Sequence, residues 1–184
     1  MAVTTDQIKT LREKTGAGIM DSKRALEQVD GNIEKAVEVL RQQGLSRAGK
    51  KSDRAALQGV IDQYIHNQGR IGALIEINCE TDFVARTTDF KTLAHDVAMQ
   101  VAATSPRFIS ADEVSEAEFT KLDAEFGDRK AATEAVVLLD QVYIKDPKKT
   151  VRDLVNEHIS LLGENIVVRR ISRFELGEGQ TDAE

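Results

Sequence analysis

The sequence predicts an α+β fold on three observations. Apolar residues recur at helical spacing through the first 44 positions, two runs between Val60 and Ile77 read as paired strands, and helical spacing returns from Phe90 onward. With 184 residues the chain can form a small domain and a larger one. Folding at this size buries roughly 70% of the unfolded surface, so a core needs no disulfide or metal to hold it.

The first 44 residues read as three short helices in one small module. Thr4 and Gln7 stand in capping-box register, and Ile8 and Leu11 follow at helical spacing. Thr15-Gly-Ala-Gly18 breaks that helix with residues that tolerate unusual backbone angles. A second helix is expected to start at Asp21 and to bury Ala25, Leu26 and Val29. Asp30-Gly31 makes a turn, Asn32 caps a third helix carrying Ile33, Ala36, Val37 and Leu40, and Gly44 is placed to stop it. Residues 45–57 then read as a basic linker, with Arg47, Lys50, Lys51 and Arg54 offset only by Asp53. Such a stretch is either a solvated helix or tether, or a contact for a partner's acidic surface.

A larger unit is expected over 58–177. Val60 to His66 is rich in β-branched and aromatic residues, and Asn67-Gln-Gly-Arg70 reads as a hairpin turn. In the next run Ile71, Ala73, Ile75 and Ile77 face one way, and Gly72, Leu74, Glu76 and Asn78 the other. Thr88 is placed to cap a helix whose Phe90, Leu93, Ala94, Val97 and Val101 share a face, ended by Ser105-Pro106. Residues 110–135 are acidic and helical, with Ser110/Glu113 and Ser115/Glu118 in capping-box register and a break at Gly127-Asp128. Asp146-Pro147 marks a turn, and Thr150 caps a helix burying Val151, Leu154, Val155, Ile159 and Leu162. Gly163-Glu-Asn165 ends that helix and leads into a last strand, Ile166 to Leu176. Arg169-Arg170 disturbs its alternation and points to a bulge or an exposed edge. Residues 178–184 form an acidic tail expected to be disordered.

Charge and composition narrow the function. A net charge of −6 argues against bulk electrostatic binding to nucleic acid or an anionic membrane, but permits a protein partner with a basic surface. Aromatic residues make up only 4% of the chain, which leaves little for a base-stacking platform. The apolar run Ala135 to Leu139 is far too short to span a bilayer, and the N-terminus reaches polar residues without a signal-peptide core. Cys79 is the single cysteine, so no disulfide forms within the chain, and a cytoplasmic protein is expected.

Equipment for chemistry is thin. Cys79 with His66, His95 or His158 would make a nucleophile–base pair, yet a cysteine ending an alternating strand reads more simply as packing. Three histidines and one cysteine, widely spaced, match no zinc pattern. Thr15-Gly-Ala-Gly18 lacks the Gly-Lys-Ser/Thr ending and the preceding strand of a phosphate-binding loop, so no cofactor is implied. One stretch resists a packing account: Glu80-Thr-Asp-Phe-Val84, leaving the second strand. Either Phe83 folds back into the core while Asp82 caps a helical turn, or the loop presents a large apolar wedge beside a carboxylate.

Two of these stretches resemble a known family. Leu11-Arg-Glu-Lys-Thr-Gly-Ala-Gly-Ile-Met-Asp-Ser-Lys-Arg-Ala-Leu26 is similar to the N-terminal signature of the elongation factor Ts family, and Glu76-Ile-Asn-Cys-Glu-Thr-Asp-Phe-Val-Ala-Arg86 to its second signature. Gly163-Glu-Asn-Ile-Val-Val-Arg-Arg170 resembles the start of its closing strand. The likeness runs from near residue 4 to about 177 in the family's order.

The resemblance implies a ubiquitin-associated-like three-helix module over 1–44 and a core with a small antiparallel sheet covered by helices. It further implies a guanine-nucleotide exchange factor without covalent chemistry, which binds elongation factor Tu carrying GDP and speeds nucleotide release. By the same carry-over Thr81, Asp82, Phe83 and Val84 displace the elements beneath the partner's Mg²⁺, while Arg12, Ile19 and Met20 dock on its nucleotide-binding domain. A protein-binding adaptor without exchange activity is the competing expectation. The chain resembles a short form that lacks the second sheet-bearing half and the helical hairpin of longer members. It also reads as shortened between Phe119 and Pro147. A single sheet-bearing half suits a homodimer.

Overall fold

The computed structural model describes residues 3–179 and has the mixed helix-and-sheet architecture expected of the sequence. Helix α1 (Thr5–Thr15) begins where the Thr4 hydroxyl accepts from the Gln7 amide and the Gln7 side chain returns a bond to the Thr4 amide. These bonds satisfy two of the helix's orphan donors. Gly16, at φ +65°, ends it. Helix α2 (Ile19–Gln28) starts two residues ahead of Asp21, with Gly18 in extended backbone before it. Asp30 and Gly31 turn through positive φ, and the Asn32 side chain caps α3 by accepting from Lys35. Leu11, Ala25, Leu26 and Ala36 form the core these three helices share.

The third helix corrects the sequence reading. Gly44 does not stop it: α3 runs without interruption over Ile33–Gly49. Gly44 is buried where α3 packs on α8 (Val151–Leu162), and a side chain built on it would stand 3.9 Å from the Ser160 Cβ. Gly44 keeps helical backbone angles, and packing of α8 against this part of α3 outweighs the weak helix propensity of one glycine. Arg41 reinforces the contact, its guanidinium 3.2 Å from the Asp153 carboxylate on α8. Just beyond the helix, the Lys51 ammonium donates to the Ile159 carbonyl at 3.3 Å.

Strand β1 (Gln58–His66) and β2 (Ile71–Cys79) pair antiparallel across a turn in which Asn67, Gln68 and Gly69 all take positive φ. Strand β5 (Ile166–Glu175) pairs antiparallel on the other side of β2, giving the order β1-β2-β5. The register slips so that Arg170 faces Glu76 while Val168 faces Ile77, leaving Arg169 as the extra residue of the bulge that the charged pair foreshadowed. Gly59 is required in β1, because a Cβ there would lie 2.1 Å from the Ile77 carbonyl oxygen. One face of the sheet (Ala73, Ile75, Ile77) packs on α5 (Thr88–Thr104), whose Phe90, Leu93, Ala94, Val97 and Val101 are fully buried. Thr87, one residue before the expected position, caps that helix. The opposite face exposes Ile61, Ile65, Leu74 and Phe174.

Between β2 and α5 stands the single turn α4 (Asp82–Ala85). Farther on, the Ser115/Glu118 capping box starts α6 (Glu116–Phe126), Gly127 ends it, and Asp128 caps α7 (Arg129–Val136). Phe119, Leu122, Ala132 and Val136 give this pair its own small core. Where the sequence reads only a turn at Asp146-Pro147, the chain forms a hairpin, β3 (Val142–Tyr143) with β4 (Asp146–Thr150). Its support is non-local: buried Gln100 accepts from the Ile144 amide at 2.9 Å and donates to the Val142 carbonyl at 3.2 Å. Thr150 then caps α8 in a capping box with Asp153. Most of the expected acidic tail, residues 180–184, lies outside the described residues.

Candidate functional site

The turn leaving β2 is built around Thr81. Cys79 ends the strand fully buried, and its thiol donates to the Thr81 carbonyl at 3.1 Å. Thr81, in extended backbone, caps α4 by accepting from the Val84 amide at 3.4 Å. Thr81 therefore takes the cap expected of Asp82, whose carboxylate instead pairs with Arg86 at 2.9 Å. Ala85 is buried and Val84 packs partly against the main core. Phe83 points the other way and is 81% exposed, which removes the alternative in which it folds back into the core.

A carboxylate from another turn grips this one. Glu164, between α8 and β5, accepts from the Glu80 and Thr81 amides at 3.0 Å each and from the Thr81 hydroxyl at 2.6 Å. The reciprocal bond is also made, with the Asn165 amide donating to the Glu80 carboxylate at 2.7 Å. Buried Asn165 in turn donates to the Ser52 and Arg54 carbonyls at 3.3 and 2.8 Å. Three segments distant in sequence thus meet at the N-terminal end of the turn that carries Phe83. Sequence alone reads Gly163-Glu-Asn165 as a helix exit leading into the last strand. A carboxylate directly after a helix-ending glycine was the available signal, but its partners lie more than eighty residues away.

At the other candidate surface, the Arg12 guanidinium donates to the Ala17 carbonyl at 3.2 Å and so closes the turn between α1 and α2. Ile19 and Met20 open α2 with 57% and 61% of their surface exposed. Beside them a cleft of about 510 Å³ separates the α1–α2 turn from α8, lined by Arg12, Thr15, Gly18, Arg41, Glu157 and Ser160 among others. None of residues 81–84 lines it. The fold keeps Thr81 to Val84 together on one turn and ties Arg12 to Ala17, two residues before Ile19, but of these candidate residues only Arg12 lines the cleft.

The surroundings of Cys79 oppose nucleophilic chemistry. Burial, aided by the nearby Glu164 charge, pushes its thiol up to about 11, away from the thiolate that attack requires. His158 bonds the Leu154 carbonyl within its own helix at 2.8 Å, and His95 stands 4.0 Å from Asp62 and edge-on to Tyr64. No helix among the described residues is long and apolar enough to cross a membrane.

Comparison with known proteins is decisive about family. A family model described as "Elongation factor TS" matches residues 2–134. The chain is 48% identical to elongation factor Ts of Syntrophomonas wolfei, over 96% of this chain and 92% of that protein. It is 45% identical to elongation factor Ts of Coprothermobacter proteolyticus, over 97% of this chain and the whole of that one. The first alignment runs over 196 positions, more than the 184 residues present here, so the relative carries internal residues with no counterpart in this chain. The chain belongs to the elongation factor Ts family and is a translation elongation factor.

Proposed function

We infer that the chain is a guanine-nucleotide exchange factor for elongation factor Tu, and that Phe83 is its wedge. The observation that carries this reading is an exposed phenylalanine on a single helical turn pinned from below. A large apolar side chain held in water has most to gain from a partner's pocket. Burying it removes about 150–250 Å² of surface, worth several kcal/mol at roughly 25 cal/mol per Å².

Exchange then follows from linkage. A factor that binds the nucleotide-free partner better than the loaded one must weaken nucleotide affinity by the same ratio. The partner's Mg²⁺ needs near-ideal octahedral ligation, so displacing the elements beneath it loosens GDP as a whole. The turn of Thr81, Asp82, Phe83 and Val84 supplies that displacement, with Phe83 as the side chain that enters the partner. The three N-terminal helices, read as a ubiquitin-associated-like module, supply affinity through Arg12, Ile19 and Met20. The chain itself performs no covalent step, and its composition suits the cytoplasm.

Stopped-flow release of labelled GDP from elongation factor Tu, with and without this protein, tests the reading. Acceleration that saturates with concentration is expected. Tight binding with no acceleration would favour the adaptor instead. The same reading includes a homodimer, favoured by the open sheet face bearing Ile61, Ile65, Leu74 and Phe174. Light scattering decides it: a dimer alone, or two copies of each protein in the complex, is expected, and a monomer forming a one-to-one complex would exclude it.

A further inference from the structure

We propose that Glu164 is the positioning residue of the wedge, acting on exchange entirely through Phe83; this rests on the wedge reading above. A four-residue helix cannot hold itself, because nucleating one turn fixes several dihedrals for a single hydrogen bond. Nor does packing fix Phe83, which lies mostly in solvent. The orientation of α4 must come from its ends and its inner side. Val84 and Ala85 supply the inner side. At the C-terminal end the Arg86 amide donates to the Asp82 and Phe83 carbonyls, and the Thr87 hydroxyl to that of Val84.

At the N-terminal end the Cys79 thiol holds the Thr81 carbonyl, and Glu164 holds the hydroxyl and the amides. The Thr81 hydroxyl has a single proton, and donating it to Glu164 at 2.6 Å leaves its lone pairs directed to the Val84 amide. Glu164 thereby sets the rotor that caps the helix. Its other oxygen takes the two backbone amides just before α4, so both arms of the carboxylate are engaged. Charge-assisted bonds of this kind are short and about twice as strong as neutral ones. Glu164 sits on the α8–β5 turn, whose neighbour Asn165 is anchored to the backbone after α3. The wedge is consequently fixed to the frame of the core as well as by bonds within its own loop.

The test uses the full-length chain and labelled GDP on elongation factor Tu. It compares Glu164→Ala, Glu164→Gln, Phe83→Ala and the double variant Glu164→Ala/Phe83→Ala, each checked for folding by thermal melting. Glu164→Ala is expected to lower the saturated release rate by about tenfold, the factor that roughly 1.4 kcal/mol supplies, with the half-saturating concentration nearly unchanged. Glu164→Gln keeps one accepting oxygen and should fall between Glu164→Ala and the parent, and it serves as the second variant should the alanine form fold poorly. The double variant should be no slower than Phe83→Ala alone, since a residue acting through Phe83 has nothing left to act on. Losses that multiply in the double variant would overturn the proposal, as would a full saturated rate in folded Glu164→Ala and Glu164→Gln beside an impaired Phe83→Ala. That last result would leave the wedge itself standing. A full rate in Phe83→Ala would remove the wedge reading and this proposal together.

Discussion

The Tyr143 hydroxyl donates to the Asp96 carboxylate at 2.7 Å, tying the β3–β4 hairpin to the middle of α5. Lys145 reaches the other Asp96 oxygen at 2.6 Å. Tyr143→Phe removes one of two partners from a carboxylate that is largely buried. It should destabilise the chain by about 1–3 kcal/mol, the usual penalty for an under-satisfied buried group. Urea unfolding should show a lower midpoint at unchanged slope, while saturated GDP release from the partner stays as in the parent.

Cys79 gives a pH prediction with a definite sign. Its thiol lies above the ordinary value of 9.0, at about 11, chiefly because of burial. The stabilisation is present in full below pH 9 and is lost as pH rises from there towards 11, because the unfolded thiol ionises first. The slope is about 1.4 kcal/mol per pH unit for one group. Cys79→Ala should remove that component of the alkaline decline in urea titrations and keep most exchange activity. Burial also raises the Tyr143 phenol, so a further decline above pH 10 should persist in this variant.

Phe83→Ala should separate stability from exchange. An exposed side chain leaves no cavity, so the melting temperature should correspond to a change within about 0.5 kcal/mol. Stimulated GDP release should nevertheless slow by at least about tenfold. Asp82→Ala should do less, since an exposed carboxylate makes polar contacts that water can partly replace. A destabilised Phe83→Ala with normal exchange would remove the wedge.

Ile19→Ala combined with Met20→Ala should raise the half-saturating concentration and leave the saturated rate alone. Both side chains are exposed at the start of α2, so the three-helix core should stay intact. Circular dichroism checks the fold, and a concentration series of release rates reads the effect. A fall in saturated rate at unchanged half-saturation would assign these residues to the wedge step.

Two glycines should respond in opposite directions to alanine. At Gly44 the new methyl meets Ser160 at an ordinary 3.9 Å, so the gain in helix propensity should stabilise by up to about 1 kcal/mol. At Gly59 it would meet the Ile77 carbonyl oxygen at 2.1 Å, and the strand must shift at a penalty on the order of 3 kcal/mol. Thermal melting of both variants is sufficient to check the pair.

Features written in adjacent residues were legible in the sequence. The Thr4/Gln7 and Ser115/Glu118 boxes, the Asn67–Gly69 turn, the alternation of β2 and the bulge at Arg169 are all local signals, and each lies where its residues place it. What escaped was decided at a distance. Gly44 looks like a helix stop to any local rule, and only the approach of α8 makes it an interior residue. The β3–β4 hairpin has a two-residue first strand and no alternation, and bonds from Gln100 and Asp96 hold it. At the site, the stretch Thr81–Val84 was recognisable as unusual, but neither the exposure of Phe83 nor the grip of Glu164 is encoded nearby.

The unbroken run of α3 into its seat on α8 has a further consequence. A loose tether after residue 44 would let the N-terminal helices and the Phe83 turn find their targets independently, as two hooks on a string. On the docking roles proposed above, a stiff helix clamped at Arg41, with the Lys51 tie just beyond its end, makes them the jaws of a caliper with one setting. The entropy of fixing that gap is met once, when the chain folds, and not again at each encounter. A surface offering both patches at the wrong separation can then be held by only one jaw, so distance itself becomes a criterion for choosing a partner.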